Sequence, residues 1–148
     1  MMLESIEQKI WHWASLLPDK PAVKSGKKSA TYLQLCQRIL GARDYFVNQS
    51  MLKAGDAIVL AAGKQIEFVY TYFGAHLAGL KVVPVDPATN PDRLEFIVSQ
   101  TSALLLVGFD GIEHSIRQTG LKEFEELTSE FAIPSFPEGS QIADILFT

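Results

Sequence analysis

Ala57-Ile58-Val59-Leu60-Ala61 (AIVLA) is apolar at every position. A strand with one wet face alternates apolar and polar residues, so a short unbroken run reads as a strand covered on both faces, as in parallel sheets flanked by helices. Two more such runs follow, Val82-Val83-Pro84-Val85 and residues 103–107 (ALLLV). Between the first pair, residues 65–79 read as a helix apolar on nearly all sides. Between the second pair, Asn90-Pro91-Asp92 opens another helix: Asn caps the free amides, Pro sits where no N–H is needed, and Asp meets the positive end of the helix dipole. Leu94, Ile97 and Val98 form its inward face. The fold class is therefore α/β, a parallel, doubly wound β-α-β-α-β sheet with helices on both faces and right-handed crossovers.

Upstream, Ile6, Ile10, Trp13 and Leu17 recur at helical spacing and predict the buried stripe of a first helix, ended by Pro18 and Pro21. Residues 22–32 predict a small hairpin turning through Ser25-Gly26-Lys27. Thr31 followed by Gln34 is a capping box that starts a second helix, with Leu35, Cys36, Ile39, Phe46 and Val47 facing inward. Gly55-Asp56 turns the chain into AIVLA. Downstream, residues 109–120 predict a short helix and residues 121–131 another, with Glu123, Glu125, Glu126 and Glu130 on a solvated face. Residues 133–141, with Pro134, Pro137 and Gly139, read as a connector. Residues 142–148 (IADILFT) read as a short buried strand with Asp144 at its entry, the kind of element that delivers the backbone into a functional loop.

Composition sets limits on the function. The 148 residues predict a single domain, 1–148, and 47% apolar with 20% charged residues is ordinary for a globular chain. A net charge of −4 supplies no counterion-release drive toward nucleic acid. The single Cys36 allows no internal disulfide and fits a reducing compartment. The first 17 residues lack the basic leader of an export signal, since Glu4 and Glu7 come first. The uncharged stretch 68–80 falls short of the ~20 residues a membrane span requires. A soluble, cytoplasmic protein with no transmembrane segment is expected.

The strand-to-helix turns of such a sheet are where ligands bind, and none carries a phosphate-binding motif. Gly63-Lys64 follows a strand and opens a helix, but Ile58 stands where a phosphate loop needs its first glycine and Gln65 where it needs Ser or Thr. Gly26-Lys27 fails likewise at Pro21, and there is no G-x-G-x-x-G or G-x-S-x-G. His12, His76 and His114 lie on different elements without metal-ligand spacing. His76, inside the most apolar helix, reads as a core histidine satisfied by hydrogen bonds, and Asp86 before Pro87 as a turn-forming carboxylate at a strand end. Gly79 suits a left-handed helix end, and Gly74 a close approach by the next element. The residues themselves assign no catalytic, cofactor-binding or metal-ligating position.

The order of the pieces resembles a known family. Pro18-Asp19-Lys20-Pro21-Ala22-Val23, Thr31-Tyr32-Leu33-Gln34-Leu35, Ala54-Gly55-Asp56, Glu67-Phe68 and above all His76-Leu77-Ala78-Gly79-Leu80-Lys81-Val82-Val83-Pro84-Val85-Asp86-Pro87 resemble the N-terminal region of the AMP-forming adenylating enzymes. That superfamily holds acyl-CoA synthetases, firefly luciferase and the adenylation domains of nonribosomal peptide synthetases. The resemblance implies a parent ligase that activates a carboxylate with Mg-ATP to an acyl-adenylate and pyrophosphate, then transfers the acyl group to coenzyme A. It also implies that a Ser/Thr/Gly-rich phosphate loop follows the segment matching Ala143-Asp144-Ile145-Leu146-Phe147-Thr148. The chain is then the N-terminal subdomain of an acyl-CoA synthetase, a class its ending resembles more than peptide synthetases, with a long-chain fatty acid ligase as one form of the parent, and it is inactive alone and cofactor-free. Its partners are the remainder of the parent enzyme or, through the C-terminal face, a second copy. Members often carry an asparagine shortly before the Glu-Phe pair, where this chain has Gly63-Lys64-Gln65. A peptide-synthetase adenylation domain shares every feature above, and a stand-alone α/β module that binds a partner is the reading from another class.

Overall fold

The computed structural model describes residues 5–109, 116–137 and 143–147. Helix α1 (Ile6–Leu16) leads into a hairpin of β1 (Pro21–Ser25) and β2 (Lys28–Thr31), which turns at Gly26 with φ of 61°. Helix α2 (Tyr32–Asp44) begins at the capping box, Thr31 Oγ1 accepting from the Gln34 amide and the Gln34 side chain accepting from the Thr31 amide. Then come β3 (Ala57–Ala61), α3 (Ile66–Leu77), β4 (Lys81–Val85), α4 (Pro91–Thr101), β5 (Leu105–Val107) and β6 (Arg117–Thr119).

The sheet runs β4-β3-β5-β6 with every pair parallel, and Val59 at its centre lies between Val83 and Leu106. All five residues of β3 are buried, as an AIVLA run covered on both faces requires. Alternate strand residues feed two cores. Ile58, Leu60, Val82, Leu105 and Val107 pack with Phe46, Ala75 and Phe124 on the face of α2 and α3, whereas Val59, Val83, Val85 and Leu106 pack with Leu94, Ile97 and Val98 of α4 on the other. This is the doubly wound architecture. A third cluster joins α1, the hairpin, α2 and α3 through Trp11, Ala30, Cys36, Ile39 and Tyr70.

Several elements depart from the sequence reading, each for a physical reason. In α1 the buried residues are Glu7, Ile10, Trp11 and Ala14, while Ile6, Trp13 and Leu17 are exposed. The helix turns its other flank inward because Trp11 Nε1 donates to the Ala132 carbonyl at 2.8 Å and Glu7 finds a buried partner in α3. Phe46 is buried but Val47 is 42% exposed, because residues 45–49 form a π turn whose extra residue rotates the inward face. Within 109–120, Arg117–Thr119 form β6 alongside β5 rather than part of a helix; residues 110–115 lie outside the described part.

The stretch expected to be a second downstream helix is a single 3-10 turn, Leu121–Phe124, followed by irregular backbone across α2. Arg38 donates to the Glu125 carbonyl at 2.7 Å and the Ser129 amide donates to the Gln37 carbonyl at 3.1 Å. Gly41 permits this contact, since a β-carbon there would stand 2.7 Å from the Leu127 carbonyl carbon. The four glutamates are exposed, as expected. Gly74 allows a close approach, but of the preceding helix α2 rather than the next element. Finally, residues 143–147 form no buried strand. One bridge, Val82 to Asp144, lays them parallel to the outer edge of β4, with Leu146 73% exposed.

Candidate functional site

The chain passes from β3 through α3 to β4 on one side of the sheet, then back through α4 to β5 on the other. Loops leaving β3 and β5 therefore diverge at the carboxyl edge, which opens the crevice where doubly wound sheets bind ligands. A cleft of about 760 Å³ occupies this place, and all four strands contribute residues just past their ends: Gly63, Lys64 and Gln65 after β3, Pro87 after β4, Gly108 after β5, and Gly120 through Glu123 after β6. Gly108 shapes its floor. It holds φ of 88°, and a β-carbon there would come within 3.0 Å of both Ala61 Cβ and Leu121 Cγ. Gly63 is under no such constraint, its nearest contact being Pro87 Cγ at 3.6 Å.

The turn at 63–65 is tied to the hairpin by a hydrogen bond from Ser25 Oγ to the Lys64 carbonyl. Lys28 of β2 reaches across the cleft to Glu67 in the first turn of α3, Nζ to Oε1 at 2.6 Å, and stands 3.7 Å from Glu125 Oε1. The Glu67 side chain is 6% exposed, and its hydrogen bond to Lys28 outweighs desolvation and raises the ammonium pKa. Lys28, Lys64 and Lys122 are matched by Glu67, Glu123 and Glu125 along the lining, so the cleft carries no net charge. Among the described residues, no group of three or more His, Cys, Asp or Glu could hold a metal ion. No chemical step follows from these side chains alone.

A second polar cluster lies at the other end of α3. His76 Nδ1 is 2.6 Å from Glu7 Oε1 of α1, and Nε2 is 2.9 Å from Asp144 Oδ1 of the edge segment. Tyr72 donates its hydroxyl to the other Asp144 oxygen. Glu7 is 4% and His76 8% exposed. Burial drives the His76 pKa down, but the hydrogen bonds and charges of Glu7 and Asp144 outweigh it and the result is a raised value. For Glu7 burial pushes up, and His76 prevails to leave the carboxyl below its ordinary range. Burial and the Asp144 carboxylate push the Tyr72 phenol well up, which keeps it a donor.

The structure places the sequence candidates apart. His76 is a buried histidine with hydrogen bonds on both nitrogens, whereas His12 is exposed beside the Trp13 ring and His114 lies outside the described residues. Asp86 forms a turn, its Oδ1 accepting from the Ala88 amide at 2.8 Å. Cys36 is fully buried, and desolvation pushes its thiol up to about 12. Glu67 lines the cleft and belongs to the Glu-Phe motif, whereas Glu7 and Asp144 meet His76 in the second cluster. Nothing in the spacing of Glu7, His76 and Asp144 signals their meeting, since 69 and 68 residues separate the partners.

Among the described residues no helix is long and apolar enough to cross a membrane. The family model for AMP-binding enzymes matches residues 10–142. Malformin synthetase from Aspergillus niger is 26% identical over 143 residues, 92% of this chain and 3% of that protein. The 2-succinylbenzoate–CoA ligase of Salmonella typhimurium is 23% identical over 127 residues, 86% of this chain and 28% of the ligase. The chain thus spans less than a third of either relative. Among solved structures, the Klebsiella oxytoca NpsA N-terminal subdomain in complex with 3-hydroxybenzoyl-AMSN superposes with a TM-score of 0.82 at 17% identity, over 99% of this chain and 38% of that one. That likeness establishes the fold.

Proposed function

This chain belongs to the AMP-binding enzyme family, and on that premise we propose that it is the N-terminal scaffold of an adenylate-forming carboxylate–CoA ligase. The parent activates a carboxylate with Mg-ATP to an acyl-adenylate and pyrophosphate, then passes the acyl group to the thiol of coenzyme A. The observation that carries this reading is the family match across residues 10–142, on a fold whose four strand ends converge on one cleft. In this reading the cleft is a wall of the catalytic crevice, and the nucleotide-holding groups belong to the remainder of the parent enzyme. That remainder is also the partner that covers Leu146, with a second copy of the chain as its substitute. The preference for a CoA ligase over a peptide synthetase rests on the resemblance of the Ile145-Leu146-Phe147-Thr148 ending, with a long-chain fatty acid ligase as one form of that parent, and a cytoplasmic setting on the lone Cys36.

A second reading has a specific observation behind it: the match to a peptide synthetase over 92% of the chain. The parent would then adenylate an amino acid and load a carrier-protein thiol. Carboxylate-dependent exchange of pyrophosphate into ATP tests both. Residues 1–148 alone should show no exchange and no sub-millimolar ATP binding by calorimetry; either activity overturns the scaffold assignment. In a version extended by its gene to the length of a whole ligase, exchange with fatty acids and consumption of coenzyme A supports the first reading. Exchange with amino acids alone replaces it with the second.

A further inference from the structure

We propose that His76 is a two-donor clasp that seats the 143–147 segment on the edge of the sheet only while its imidazole carries both ring protons, so that the segment loosens as pH rises. The argument is a count of hydrogens. Ionised carboxylates only accept, and each nitrogen of His76 faces one, Glu7 at 2.6 Å and Asp144 at 2.9 Å. A neutral imidazole has a single N–H. Whichever tautomer forms, one nitrogen then points a lone pair at a carboxylate in a site where His76 is 8% exposed. Protonating Glu7 instead is opposed. Glu7 has an acidity raised above the ordinary by His76 itself, and Asp144 already accepts from Tyr72 at its other oxygen.

Among the described residues, the ionisable groups that face the ring are Glu7 from α1, Asp144 from the edge segment and Tyr72 from the same helix. Asp144 is the partner free to leave. Its side chain is 30% exposed and can be hydrated, whereas that of Glu7 is 5% exposed on a helix anchored by Ile10, Trp11 and Ala14. Among the described residues, the edge segment has a few other ties. The Val82 amide donates to the Ala143 carbonyl at 2.7 Å, the Ile145 amide donates to the Val82 carbonyl at 2.9 Å, and Ile145 and Phe147 rest on the α4 face. Asp144 is thus the segment's polar anchor on the α3 face, and the proton on His76 controls it.

The test is the exchange protection of the Ile145 amide in the full chain, corrected for intrinsic base catalysis and read beside the His76 ring ¹⁵N shifts across the pH range. Protection should fall about tenfold, the size expected when one buried partner is lost, in step with the titration of His76. Asp144→Asn is the decisive variant. Asparagine is isosteric, accepts from Tyr72 with its oxygen and donates to Nε2 with its amide, so a neutral His76 bonded through Nδ1–H to Glu7 satisfies every group. Ile145 protection in this variant should be flat with pH. Wild-type protection unchanged while His76 loses its proton would overturn the proposal, as would an Asp144→Asn variant with the same pH-dependent fall.

Discussion

Gly74 of α3 lies directly against Ala42 of α2: a β-carbon on Gly74 would stand 2.6 Å from Ala42 Cβ, with the Arg43 amide nitrogen at 2.9 Å and the Ile39 carbonyl oxygen at 3.0 Å. The two helices cross here without room for a methyl group, which keeps both pressed onto the same face of the sheet. Alanine favours a helix over glycine by about 1 kcal/mol, so propensity alone predicts that Gly74→Ala stabilises. Overpacking against backbone atoms costs about 1–3 kcal/mol and acts in the opposite direction. Gly74→Ala should therefore lower the urea midpoint, and Ala42→Gly in the same chain should not fully restore it. A raised midpoint would mean that the helices separate freely.

Gly79 combines two constraints. It holds φ of 78°, and a β-carbon there would lie 2.9 Å from Ala54 Cβ. The left-handed conformation alone costs alanine about 1–2 kcal/mol. Gly79→Ala should be destabilising by at least that much, and adding Ala54→Gly should recover only the share due to the clash. An unchanged melting temperature for the single variant would refute the strained geometry.

The signs for the His76 cluster predict a stability plateau on the acidic side of neutrality. Glu7 is depressed below its ordinary 4.5, so its contribution is present above that value and is lost as pH falls through the folded one. His76 is raised above its ordinary 6.5, so its contribution is present below that value and is lost as pH rises through the folded one. Both are complete between pH 4.5 and 6.5. Denaturation midpoints should peak in this window, and Glu7→Gln should erase the acidic shoulder. A midpoint that rises steadily from pH 6 to pH 9 would contradict the assignment.

Leu146 is 73% exposed on the segment that lies along the outer edge of β4, an arrangement that invites pairing with another chain. Residues 1–148 should self-associate at high micromolar concentration, and Leu146→Lys should return them to monomers in light scattering. A monomeric parent fragment, or a dimer indifferent to the lysine, would end this expectation. Phe147 is a poor probe because its ring packs near Phe96, centroids 6.4 Å apart.

Cys36 should not react with thiol reagents in the folded chain. It is fully buried and its thiol is pushed up to about 12, so reaction requires global opening. Labelling rates should track unfolding across a denaturant series; fast labelling in buffer would show that α2 opens locally.

By itself the sequence determined the parallel sheet, because AIVLA, VVPV and ALLLV are apolar on both strand faces and only a doubly covered sheet buries such runs. It determined the helix starts at Thr31 and Asn90 as well, since a cap is a contact across three residues. It placed Gly79 in a left-handed turn, and the order of its motifs identified the family. The tertiary structure decided what depends on distant partners. Glu7 turned α1 by one flank to reach His76, Gly41 drew the 121–131 segment flat across α2, and Asp144 met His76 from 68 residues away. The cleft had no phosphate-binding motif to announce it, being assembled from residues past the ends of four separate strands. Local periodicity records which face of an element is apolar, but a buried charge is stable only where the fold supplies its counterpart, and that pairing is written in three dimensions.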